Sequence, residues 1–313
     1  MIFPDPDIVA RAASSDEEIR RVALLEAADD ADLYHDLLVA ACLDSAAAVR
    51  MEAAKALEGV ATKEGIAALV LLLGDADADV REAAQTSLRE IRDPEAAPSL
   101  LEHVDSVKGP AKAAILRGLR ELRSPAAIAP ALAALQDESA SVRREAVGVL
   151  GYLQASEAAK LLARCLTSDP DANVRRAAAG SLGVSHESDA WRALAAALLN
   201  DPDWQVREEA AATLARLAKP QTVDALIKAL RDSHWEVALK AAFALGKISE
   251  RRAAAPLIEA FTHPISNLRR EVLNALAAIG SPEALPLFNE ALADPDIEVR
   301  KAAERAIASL ERR

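Results

Sequence analysis

Aromatic side chains are scarce: Phe, Trp and Tyr make up 3% of a chain that is 51% hydrophobic. A core of large rings is therefore excluded. The interior must be built from Ala, Leu, Val and Ile, whose small side chains let helices approach closely. Cysteine is nearly absent as well. Cys42 and Cys165 lie far apart in sequence, which excludes a disulfide framework and fits a reducing compartment. They read as small core residues and not as a redox pair. The longest strongly apolar run, IAALVLLL at 66–73, is far short of the ~20 residues that span a bilayer. The start, MIFPDPDIVARAA, lacks a basic segment followed by an apolar one, so no signal peptide is expected. A cytoplasmic setting without membrane contact follows as the expectation.

Catalytic signatures are missing too. There is no phosphate-cradling glycine loop and no G-x-S-x-G elbow. The five histidines, His35, His103, His186, His234 and His263, lack metal-ligand spacing. Asp75-Ala-Asp77-Ala-Asp79 has the beginning of a calcium loop, but its twelfth residue is Thr86, not Glu. A solvated turn with a helix cap is the expected reading there. No cofactor is expected, and the chain is expected not to be an enzyme.

The net charge of −12 is concentrated at one end. Residues 1–100 carry 21 acidic and 9 basic side chains, and the remainder carries 28 of each. Phosphate binding needs clustered Lys and Arg, so nucleic acid is disfavoured as a partner. The acidic third either aids solubility or steers a basic partner.

What the sequence does have is repetition. The pattern Val/Ile-Arg-x-x-Ala-x-x-x-Leu recurs as VRMEAAKAL from Val49, VREAAQTSL from Val80, VRREAVGVL from Val142, VRRAAAGSL from Val174 and VREEAAATL from Val206. LRREVLNAL from Leu268 and VRKAAERAI from Val299 continue it. Its basic position falls at Arg20, Arg50, Arg81, Lys112, Arg143, Arg175, Arg207, Ala238, Arg269 and Arg300, about 31 residues apart. Each unit predicts two helices, the second starting at the Val-Arg pair with apolar residues three and four apart, as at Val206, Ala210, Leu214 and Leu217. Six residues before the basic position stands Asp44, Asp75, Asp137, Asp169, Asp201, Asp232 or Asp294. Asp orders turns and caps helices. Pro or Ser-Pro opens several first helices, as at Ser124 and Ser281, where a first turn tolerates it. Sustained β alternation is absent, so the fold class is all-α and the domain a single solenoid of ten helix pairs over 1–313. One irregularity stands out at 105–112, DSVKGPAK, where Gly109-Pro110 replaces the usual turn.

The units resemble HEAT repeats, of the short variety named after phycobilisome (bilin) lyases; the segment Ala275–Ile307 matches that pattern closely. The resemblance implies a right-handed superhelical stack with second helices on the concave face. It also implies a hydrogen-bonded ladder between neighbouring units, built from the Asp residues above and from Arg50, Arg81, Arg143, Arg175, Arg207 and Arg300. Deoxyhypusine hydroxylase, an enzyme of HEAT-like repeats, holds iron with several His-Glu pairs. Here there is only His186-Glu187, which does not supply such a site.

One unit departs from the ladder: DSHWEVALKAAFALGKI puts Ala238 where the others carry a cation. Trp204, Trp235, Leu239 and Phe243 are expected to form an apolar patch on or beside the concave face, rimmed by Arg207, Lys240, Arg269 and Arg270. Aromatics with Arg are common interface anchors. The structural alternative is that the two Trp rings fold over their turns and Phe243 packs between helices. The expected function is a non-catalytic scaffold or adaptor that grips another protein, as a monomer or in a heteromeric complex. The alternative implied by the resemblance is a bilin lyase subunit, or an assembly chaperone for a cofactor-bearing redox enzyme.

Overall fold

The computed structural model describes residues 3–184 and 189–312. The chain forms two compact units, Met1–Leu153 and Gln154–Arg313. Among the described residues there are helices and turns and no strand.

The first unit holds α1 (Pro6–Ala12), α2 (Glu17–Ala27), α3 (His35–Ala41), α4 (Ala47–Ala56), α5 (Lys63–Leu72), α6 (Ala78–Arg89), α7 (Ala97–His103), α8 (Gly109–Glu121), α9 (Ile128–Ala134) and α10 (Ala140–Tyr152). The second holds α11 (Ala159–Ser168), α12 (Ala172–Ser181), α13 (Ala190–Asn200), α14 (Trp204–Leu217), α15 (Val223–Ala229), α16 (Trp235–Ile248), α17 (Ala254–Ala260), α18 (Ser266–Ile279), α19 (Leu285–Ala291) and α20 (Ile297–Glu311). Within each unit every even-numbered helix packs on the odd-numbered helix before it and on the next even-numbered helix. Two layers result, and each even-numbered helix carries one position of the basic series.

Local chemistry explains the boundaries. Asp77, Asp171, Asp203 and Asp296 cap α6, α12, α14 and α20 by accepting backbone N–H bonds of the first turn. Pro94, Pro125, Pro220 and Pro282 open short 3-10 turns that lead into α7, α9, α15 and α19. Helices α14, α16 and α18 end on left-handed residues, Ala218, Ser249 and Gly280, each donating its N–H to the carbonyl four residues back.

The core is mainly aliphatic, with Phe288, Tyr34 and Phe261 as its buried rings. Val206, Ala210 and Leu214 of α14 are fully buried, as are Val237, Ala241 and Leu245 of α16 and Leu268, Val272 and Leu276 of α18. Small residues set how near these helices come. A Cβ on Gly246 of α16 would lie 2.9 Å from Ala275 Cα and 3.1 Å from Ala275 Cβ of α18. The obstruction is backbone, so the helices themselves would have to separate. Gly246→Ala should gain up to ~1 kcal/mol of helix propensity and lose ~1–3 kcal/mol to overpacking. A lower midpoint in urea unfolding is the expected outcome, and a raised midpoint would refute this close approach.

Candidate functional site

The basic residues of the even-numbered helices do two things at once. Arg50 donates through Nη1 to the carbonyls of Asp44 and Ser45 in its own turn, at 2.8 and 3.1 Å. Its Nε and Nη2 grip both carboxylate oxygens of Asp75 in the next layer, at 2.7 and 2.9 Å. The same fork joins Arg20 to Asp44, Arg175 to Asp201, Arg207 to Asp232 and Arg269 to Asp294, all between 2.7 and 3.0 Å. Each of these Asp residues also accepts the backbone N–H two residues on, which orders its turn. Arg143 and Arg300 make the two carbonyl bonds of the pattern, to residues 137–138 and 294–295. Asp137 and Asp169 order their turns through Ser139 and Asp171. At Lys112 a point charge replaces the fork, its Nζ lying 3.7 Å from Asp137 and 3.8 Å from Asp105.

Two layers break the rule in different ways. In α16 both partners are replaced: Ala238 is 1% exposed, and the acid position six residues before Arg269 is His263. The ring Nδ1 of His263 accepts the Ile265 N–H at 3.2 Å, doing the turn work of the missing Asp. No charge is stranded. In α6 only the acid is replaced, by Ser106, and Arg81 is left with its two carbonyls, Asp75 O at 2.7 Å and Ala76 O at 2.9 Å. The sequence signal for this second break is the six-residue spacing before Lys112, where Ser stands instead of Asp.

Trp235, Leu239 and Phe243 lie at i, i+4 and i+8 on α16, one stripe about 12 Å long at 1.5 Å per residue. Trp235 and Leu239 are half-buried and Phe243 is 41% exposed. The Lys247 ammonium sits 5.4 Å from the centre of the Phe243 ring. Trp204 belongs to a different arrangement. It stacks on His234 of the next repeat, rings 5.3 Å apart and 6° from parallel, so one of its faces is covered. Arg207 and Arg269 are committed to Asp232 and Asp294, and Arg207 Nη2 also lies 3.3 Å from His234 Nδ1. That leaves Lys240, 4.0 Å from Glu208, and half-buried Arg270 to edge the stripe. Glu271, beside Arg270 and Lys240, is raised above the usual carboxylate range by burial.

Burial pushes the Cys42 thiol up to about 12, and its sulfur faces the Leu38 carbonyl. Among the described residues no three His, Cys, Asp or Glu side chains are grouped to hold a metal. Asp77 is spent capping α6 and Asp75 on Arg50. His186 and Glu187 lie outside the described residues. No described helix is long and apolar enough to cross a membrane.

A family model described as HEAT repeats matches residues 35–113, 109–183, 160–234, 191–264 and 223–308. The chain belongs to the HEAT repeats. Among solved structures it is similar to an engineered protein, with 23% identity and a TM-score of 0.53 over 97% of this chain and 98% of the other. It is similar also to YibA of Escherichia coli, with 19% identity and a TM-score of 0.56 over 96% and 98%. These identities show the HEAT-repeat α-solenoid fold and nothing finer. Human deoxyhypusine hydroxylase aligns at 22% identity over 80% of this chain and 97% of that one, with a TM-score of 0.37. No curated protein matches the sequence.

The HEAT-repeat ladder has a pH signature. Hydrogen bonds from Arg20, Arg50 and Arg269 hold Asp44, Asp75 and Asp294 below the usual carboxylate range. The unfolded chain therefore binds these protons more readily than the folded one. The stabilisation is complete above about pH 5, where unfolded Asp is ionised, and is lost as pH falls through the folded values. Asp44→Asn should cost about 2 kcal/mol near pH 7, the scale of a charge-assisted hydrogen bond in a part-buried site. In paired thermal melts the gap between wild type and variant should shrink from pH 6 to pH 3. A gap independent of pH would refute the charge-assisted ladder.

Proposed function

We propose that this HEAT-repeat protein is a non-catalytic scaffold that holds another protein against the stripe Trp235–Leu239–Phe243. One observation carries the reading. The structural pair Arg–Asp is replaced by Ala238 of α16 and His263 in the turn before α18, and large apolar side chains occupy accessible positions of α16. Aromatic anchors partly open to water contribute most to interfaces when a partner dries them. Lys240 and Arg270 suit acidic groups at the edge of such a partner. In this reading the protein works in the cytoplasm, as a monomer or within a heteromeric complex.

The short-repeat resemblance supports a narrower version, in which the client is a bilin-carrying or cofactor-bearing redox protein during assembly. Bilin absorbance carried through co-expression and purification is the mark of a lyase subunit, whereas a co-purifying apo-enzyme is the mark of an assembly factor.

Affinity purification from the source cells, with mass spectrometry, tests the scaffold reading. The Trp235→Ala/Phe243→Ala protein should lose a partner that the wild type retains in near-stoichiometric amount. Its melting temperature should fall by only a few degrees, because both side chains are partly solvated already. A large fall in melting temperature with unchanged partner recovery would assign the aromatics to packing.

A further inference from the structure

The break in the ladder at α6 differs in kind from that at α16, because it leaves a cation without its acid. In the intact layers, guanidinium Nε and Nη2 hold a carboxylate at 2.7–3.0 Å. At Arg81 the corresponding acid position is Ser106, whose Oγ donates to the carbonyl of His103 at 2.8 Å and so turns into its own loop. Arg81 is nevertheless held in place by its two carbonyl acceptors. A planar fork that matches a carboxylate is thus oriented in advance with two donors unspent.

Arg81 lines a cavity of about 610 Å³ formed by the end of α5, by α6, and by the irregular turn from α7 into α8. Val70, Leu71 and Pro110 supply apolar wall, and His103 and Lys108 join Arg81 as its basic groups. None of the residues lining it is acidic, although residues 1–100 carry a balance of −12. The turn is reshaped by Gly109 at φ +54° and by Pro110 in the first turn of α8. The equivalent crevice between α11 and α13 contains both Arg175 and Asp201, so there the fork is filled from within. The volume falls in the range of ligand pockets, ~300–1,000 Å³.

We propose that this cavity binds a carboxylate attached to a short apolar group, supplied as the C-terminal residue of a partner protein. The carboxylate takes the place of the missing Asp on Arg81 Nε and Nη2, and the last side chain lies against Val70, Leu71 and Pro110. A peptide end suits the site because its rim is open to water. Leu71 is 56% exposed and Lys108 and Pro110 are exposed too, so a chain can leave the cavity. Backbone and charged groups commonly capture terminal carboxylates in this way. The site lies in the first unit and is independent of the α16 stripe, so either reading can fail without the other.

The test uses the full-length protein and acetyl-Ala-Ala-Leu, as the free acid and as the C-terminal amide, with calorimetry and the Arg81 Nε–H resonance as readouts. The acid should bind and shift that resonance, and the amide should bind at least tenfold more weakly. Arg81→Gln should weaken the acid at least tenfold. Because that change also loosens the turn at residues 75–76, Ser106→Asp provides the second variant. It keeps Arg81, adds an internal carboxylate, and should weaken the acid at least tenfold in a protein at least as stable as wild type. No binding of the acid at millimolar concentration, equal binding of acid and amide, or unchanged binding to Ser106→Asp would overturn the proposal. Octanoate binding tenfold more tightly than the peptide acid would overturn the peptide source.

Discussion

In the intact layers a guanidinium with two sets of contacts ties one repeat to the next. Nη1 closes the turn of its own unit, while Nε and Nη2 reach the carboxylate of the following one. That Asp in turn orders the loop from which the next Arg will start. Helix pairs of this size cannot bury their apolar faces alone, and stability resides in the stacking. The polar ladder fixes the register in which those faces meet. It does so at modest energetic cost, because the charges are only partly withdrawn from water and each fork in the intact layers is matched by both oxygens of a carboxylate.

The aliphatic core and the ladder depend on each other. With so few rings available, the helices obtain dense packing by coming close, and the contact of Gly246 with the backbone of Ala275 marks how close. Close approach in turn places an Arg and an Asp about 25 residues apart within bonding distance. A layer can abandon the ladder if it removes both charges, as Ala238 and His263 do. It can also remove only the acid, and Arg81 then remains as an oriented cation at the edge of a cavity. The first kind of break frees a helix face for apolar side chains, and the second leaves a receptor for an anion.

Much of this organisation is legible in the sequence because it depends on spacing. A basic residue every 31 positions, an Asp six residues earlier and apolar residues three and four apart prescribe paired helices in a repeating register. The same spacing marks Ala238 as a departure, and it marks Ser106 equally for a reader who checks the acid positions as well as the basic ones. The candidate patch is legible only in part. Trp235, Leu239 and Phe243 share a stripe because helical periodicity puts them there. Trp204 comes from a different helix, and only the folded chain shows its ring stacked on His234. Arg207 and Arg269 have the composition of an interface rim, yet their donors face the carboxylates of Asp232 and Asp294.

The sequence by itself determined the all-α class, the repeat boundaries and the family, since each follows from residues recurring at fixed intervals along one chain. The tertiary structure alone decided which donors are spent and which are open. That outcome depends on distances between side chains some 25 residues apart and on the shape of the turn at residues 105–110. A changed turn moves Ser106 Oγ onto its own loop and opens a cavity beside Arg81, and no interval in the sequence encodes a volume.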